Sequence, residues 1–163
     1  MKRSDQRKQA VFALYQHDLT GRSLEDVFDD ETTDFARALA LETLDEREAI
    51  DAALSRFIKD GWTLERVAPL ERNILRVAVH ELGAGDVPRE VAVDEAVELA
   101  KRYCSADAPK FVNGILGSIL RELAAGADRA AGEDSGSGAD PGAGADPDPG
   151  AGDDPRSGAD PGA

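Results

Sequence analysis

The sequence predicts an all-α fold of six to seven helices, and three observations carry that prediction. Apolar residues recur at three- and four-residue spacings through most of the first 125 positions. No stretch sustains the period-two alternation of a half-buried strand, and the few β-branched residues fall at helical spacing. With 163 residues and 41% hydrophobic content the chain can bury one real core.

Each element follows from local chemistry. Residues 4–19 carry Val11, Phe12, Leu14, Tyr15 and Leu19 on a helical stripe that Gly21 ends. Residues 33–59 read as the longest helical run, with Phe35, Leu39, Leu41, Leu44, Ile50, Leu54, Phe57 and Ile58, stopped by Asp60-Gly61. Thr63 caps a short turn, and Pro69 stands at a first helical position, where its missing N–H costs nothing. The next helix buries Leu70, Ile74, Leu75, Val77, Ala78 and Leu82, and ends at Gly83 and Gly85. Asp86 and Pro88 open another, EVAVDEAVELAKRY, with Val91, Val93, Ala96, Val97 and Leu99 or Ala100 inward. A last helix from Asp107 to about Ala125 turns Val112, Ile115, Leu116, Ile119, Leu120 and Leu123 to the core.

Residues 126–163 are built from Gly, Ala, Asp and Pro in imperfect repeats such as GADPGA, without an aromatic, Leu, Ile or Val. Such a segment cannot bury enough surface to offset its ordering entropy, so residues 1–125 are expected to fold and 126–163 to form a disordered acidic tail. The net charge of −14 divides evenly. Residues 126–163 hold nine acidic residues against two arginines, giving −7, and residues 1–125 hold 24 against 17 basic ones, also −7. Half of the acidity therefore lies outside the predicted domain.

Most chemistry is missing from the pattern. No GxGxxG, GxxxxGK[ST], GxSxG or HExxH motif occurs, Cys104 is the only cysteine, and His17 and His80 lie 63 residues apart. Both histidines read as helix-surface or boundary imidazoles, and neither an enzyme, a cofactor nor a metal site is expected. The N-terminus lacks the apolar core of a signal peptide, and no stretch approaches the ~20 apolar residues of a membrane span, so a cytoplasmic protein with no membrane association is expected.

Charge placement is more informative. Within the first eight residues Lys2, Arg3, Arg7 and Lys8 oppose only Asp5, a local +3, and Tyr15 follows two turns after Arg7. Cations neutralise phosphates and rings stack on unpaired bases, so this pattern suits RNA as well as it suits a solvated first turn. The stretch KRYCSADAPKFVNGIL (101–116) repeats the theme. It opens a helix with Asp107, Lys110 and Phe111, where the helix N-terminus adds partial positive charge. Asn113-Gly114 reads as a packing feature, with glycine admitting another helix closely.

Taken together, ERNILRVAVHEL (71–82), DVPREVAVDEAVELAKRY (86–103), the KFVNGIL stretch and the N-terminal QAVFALYQ (9–16) closely resemble the NusB family of bacterial transcription antitermination factors over residues 1 to about 125. The resemblance implies an all-helical RNA-binding protein of two small helical subdomains. Such proteins pair with NusE, a small-subunit ribosomal protein, bind the boxA element of nascent ribosomal RNA, and help RNA polymerase resist termination. By position, Arg3, Arg7 and the adjoining Lys8 match the basic first helix used against RNA, and Tyr15 matches an aromatic on it. Asp107, Lys110 and Phe111 match a helix start on the same RNA surface, while Glu71 and Glu65 match acidic positions facing NusE. Two features depart from the family pattern: Ser4 and Asp5 interrupt the basic cluster, and Gly83-Ala84-Gly85 carries no cation. The alternative from another class is a protein–protein adaptor or homodimer with little RNA affinity, which the acidic balance favours. NusB-like domains also occur fused to ribosomal RNA cytosine methyltransferases, but here an acidic tail stands where a catalytic domain would begin.

Overall fold

In the computed structural model the described residues are 1–134, with side chains described through residue 130, and none of them forms a strand. Helix α1 spans Arg3–Thr20 and ends where Gly21 takes φ +77°, its N–H donating to the His17 carbonyl. A one-turn helix α2, Leu24–Val27, follows, capped by Ser23 Oγ accepting from the Asp26 N–H. The sequence pattern gave no warning of it. Thr33 caps α3 (Asp34–Asp45) in the same way through the Ala36 N–H.

The long run predicted over 33–59 is two helices. Glu46, at φ −100° and ψ 14°, interrupts the ladder between α3 and α4 (Arg47–Ser55). No glycine or proline marks the break. It lets the buried Leu39 and Ala40 of α3 and the buried Ile50 and Leu54 of α4 belong to helices that each pack on α5. A single 3₁₀ turn at Leu64–Arg66 leads to α5 (Pro69–Ala84), which begins with Pro69 as expected and ends at Gly85, φ +76°. Gly83 is inside α5 rather than ending it. Helix α6 is Arg89–Tyr103 and α7 is Ala108–Asp134.

Residues Met1–Ala124 make one compact unit holding the core, in which α1 packs on α3 and α5, and α5 packs on α4 and α6. Its largest fully buried apolar side chains include Leu54, Ile74, Leu75 and Leu116. The expected apolar stripes lie inside, except that Leu19, Leu41 and Val91 are exposed. From Ala125 the described chain is the last turns of α7. The helix therefore runs nine residues past the predicted stop, through the alanine-rich AAGADRAA, because alanine is the strongest helix former and no proline intervenes. The remainder of the predicted tail, 135–163, lies outside the described residues.

A polar lock fastens α1, α4 and α5. Asp18 Oδ2 accepts from Arg72 (3.0 Å), Asn73 (3.0 Å) and Arg76 (3.2 Å), and Arg76 forks onto both oxygens of Asp51 at 2.8 and 2.9 Å. Burial would push the Asp18 carboxyl up, but the Asn73 amide and the Arg72 and Arg76 guanidiniums more than offset it and hold it below its ordinary 3.8. His80, expected at a surface or boundary, is buried instead. Its Nε2 lies 3.3 Å from Glu42 on α3 and its Nδ1 3.2 Å from Glu46 at the α3–α4 break.

Candidate nucleic-acid interface

The first turns of α1 carry the cations, and the fold sorts them. Arg7 corrects an expectation. Instead of presenting its charge to solvent it is 3% exposed, donating from Nε and NH2 to the two Glu81 oxygens at 2.7 and 2.9 Å. The physical reason is its neighbourhood: Arg7 is next but two to the fully buried Ala10, so its helix face is the core face, and a guanidinium there must be paired. Arg3, one turn earlier, is exposed and lies 3.9 Å over the Phe35 ring of α3.

Lys8 points another way. Its Nζ is 3.4 Å from Tyr103 Oη and 5.8 Å from the Tyr103 ring centroid. Tyr103 stands edge-to-face on Phe12 (centroids 5.2 Å apart), and Phe12 stands edge-to-face on Tyr15 (6.2 Å). Two predicted residues, Lys8 and Tyr15, thus share a row of rings with two that sequence reasoning left aside. In the sequence Phe12 marks only the apolar stripe and Tyr103 only a helix end. The signal that could have found Tyr103 is its place in KRY, an aromatic after two cations in the last turn of a helix. It is 41% exposed, which is generous for a ring this well supported.

Tyr103 ends α6, and the corner after it holds the remaining predicted RNA residues. The Asp107 carbonyl accepts from the Phe111 N–H at 3.3 Å, which puts Asp107 immediately before the first turn of α7. Asp107 and Lys110 are exposed, and Phe111 is half-buried against the core. Asn113 and Gly114 face outward, and a Cβ at Gly114 would meet nothing within 4 Å. The expectation that this glycine admits a neighbouring helix is therefore wrong for this chain.

Between the start of α1 and α6 runs a cleft of about 550 Å³. Lys2, Lys8 and Arg102 line it together with Asp5, Asp94, Glu95 and Glu98. Cations and carboxylates thus share its lining.

The two predicted partner positions lie at the start of α5. Glu65 is exposed on the 3₁₀ turn, and its carbonyl accepts from Arg72 at 3.2 Å. Glu71 is half-buried in the first turn of α5 and has no ion-pair partner among the described residues, and desolvation raises its carboxyl. Burial, and then the Glu71 charge, push the Cys104 thiol to about 11, so that thiol is protonated and inert at neutral pH. Trp62, 49% exposed, carries the Arg66 guanidinium 5.4 Å over its ring beside this turn. Among the described residues no group of three or more His, Cys, Asp or Glu is placed to hold a metal, and no helix is long and apolar enough to cross a membrane.

Comparison with known proteins decides the family. The family model described as NusB family matches residues 4–121. This chain belongs to the NusB family. It is 41% identical over 150 residues to the transcription antitermination protein NusB of Symbiobacterium thermophilum, spanning 80% of this chain and 97% of that protein. It is 43% identical over 123 residues to NusB of Rubrobacter xylanophilus, spanning 71% and 88%. Its fold is similar to a crystal form of T. maritima NusB, with TM-score 0.68 and 35% identity over 75% of this chain and 92% of that one. It is also similar to a chain in a crystal structure of the antitermination factors NusB and NusE in complex with dsRNA, with TM-score 0.64 and 26% identity over 75% and 99%. In the NusB fold seen here, Lys8 of α1 and Tyr103 at the end of α6 lie side by side.

Proposed function

We propose that this chain is a transcription antitermination factor that acts in the bacterial cytoplasm. In this reading it pairs with NusE, binds boxA RNA of nascent ribosomal transcripts, and helps RNA polymerase resist termination. The observation that supports it best is the contact between Lys8 and Tyr103, which joins the basic start of α1 to the aromatic end of α6. Lys2, Arg3, Lys8 and Lys110 serve phosphates, while Tyr103, Tyr15 and Phe111 offer ring faces to bases or sugars. Asp107 tempers the affinity by placing a carboxylate among the phosphates. Glu71, with Glu65 six residues before it, faces NusE: a half-buried carboxylate without an internal cation is suited to a basic group from outside.

The carboxylates lining the α1–α6 cleft favour a second reading, an adaptor or homodimer with little RNA affinity of its own. Glu71→Arg separates the two. The antitermination reading expects loss of NusE binding in a pull-down with intrinsic RNA binding unchanged. The adaptor reading expects no boxA-selective binding by either form of the chain.

A further inference from the structure

Arg7 stands in the middle of the basic cluster yet meets almost no solvent. Its fork onto Glu81 fastens α1 to α5. A further nitrogen, NH1, lies 3.8 Å from Glu95 Oε2 on α6, and the other Glu95 oxygen accepts from Ser4 Oγ at 2.8 Å. Glu95 lines the cleft whose α1 side carries Lys2 and Lys8 and whose α6 side carries Arg102. One guanidinium on α1 thus reaches both α5 and α6 and meets a carboxylate on each.

We propose that Arg7 is a positioning residue for RNA binding, acting through Glu81 and Glu95 to fix the spacing and rotation of α1 against α6. This inference rests on the antitermination reading above. A buried ion pair is not needed for stability, since well-packed apolar side chains often hold helices as firmly. What a bidentate fork supplies is fixed geometry, because two parallel N–H···O bonds allow one orientation of the guanidinium plane. The cations of α1 must meet phosphates in register with bases on Tyr103, so a small slide of α1 disturbs both contacts. Arg7 and Ser4 together also occupy the Glu95 carboxylate, keeping it from repelling RNA at the cleft.

Glu81→Gln is the decisive variant. If charge alone mattered, removing an anion and releasing Arg7 would tighten RNA binding. Positioning predicts weakening instead, by about three- to thirty-fold, as expected when a coupling network is cut. The readout is RNA affinity by fluorescence anisotropy over a salt series, with circular dichroism verifying that the variant is folded at the measuring temperature. The double variant Arg7→Met with Glu81→Leu covers the case in which the single change unfolds the chain. It should fold and bind more weakly, with the slope of log K against log salt unchanged. A slope shallower by about 0.7 would make Arg7 a phosphate contact and overturn the inference. So would folded variants that bind as tightly as the unaltered chain, which is the result a merely structural role gives. If the unaltered chain does not distinguish boxA RNA from a scrambled control, the antitermination reading itself fails and this inference with it.

Discussion

Lys8 Nζ lies 3.4 Å from Tyr103 Oη, joining the second turn of α1 to the last residue of α6 across 95 positions of sequence. A lysine held against a phenol and its ring is partly pre-ordered, so less rotamer freedom is lost when a phosphate arrives. Phe12 and Tyr15 support the arrangement from below through two edge-to-face contacts. The pair therefore offers what single-stranded RNA needs at one point, a cation and a supported ring.

Tyr103→Ala should weaken boxA RNA binding by the loss of one stacking platform, about 1–3 kcal/mol, while Tyr103→Phe should keep most of the affinity. Lys8→Ala should act differently. With Lys2, Arg3, Lys8 and Lys110 as phosphate contacts the slope of log K against log salt is about −2.8, and the lysine variant should make it shallower by about 0.7. Anisotropy titrations at several salt concentrations separate the two effects.

Asp107→Asn should tighten RNA binding. The exposed carboxylate just before α7 stands three residues from Lys110, where it would repel a phosphate bound by that lysine, and asparagine removes the charge while keeping an oxygen able to cap the helix. A folded Asn variant that bound more weakly would show that Asp107 is not beside the RNA.

The Asp18 lock predicts a pH dependence of stability. Because its folded carboxyl titrates below the ordinary 3.8, Asp18 stabilises the fold above that value, and the contribution is lost as pH falls through the lowered one. Asp18→Asn should cost about 1–3 kcal/mol at neutral pH, since Arg72 and Arg76 lose a shared charged acceptor. The difference between variant and unaltered chain should vanish in strong acid. Urea melts at a series of pH values test both halves.

Gly114→Ala should stabilise the chain by about 0.5–1 kcal/mol, because the position is helical and open and glycine there costs backbone entropy. A urea melt measures it. Destabilisation would mean that a neighbour does approach Gly114.

The helices were legible in the sequence where punctuation and period agreed: Gly21 ended α1, Pro69 opened α5, and the stripe from Ile74 to Leu82 is buried as spaced. The break at Glu46 was hidden because no breaker residue marks it, and the continuation of α7 to Asp134 because composition alone suggested tail. The candidate site was legible only in part. A cation count cannot tell Lys8, which leans on an exposed ring, from Arg7, which is consumed by Glu81 74 positions away. Tyr103 became visible only once α1 and α6 were side by side. Gly114 misled because glycine in a helix suggests close packing, and here the surface beside it is open.

The central claim is that α1 and the α6–α7 corner form one RNA-binding surface that works with NusE. Fluorescence anisotropy of a labelled boxA RNA and of a scrambled RNA, each with and without NusE, tests it most directly. Selective binding of boxA that tightens when NusE is added is the predicted result. Equal binding of both RNAs, or none with NusE present, would contradict it.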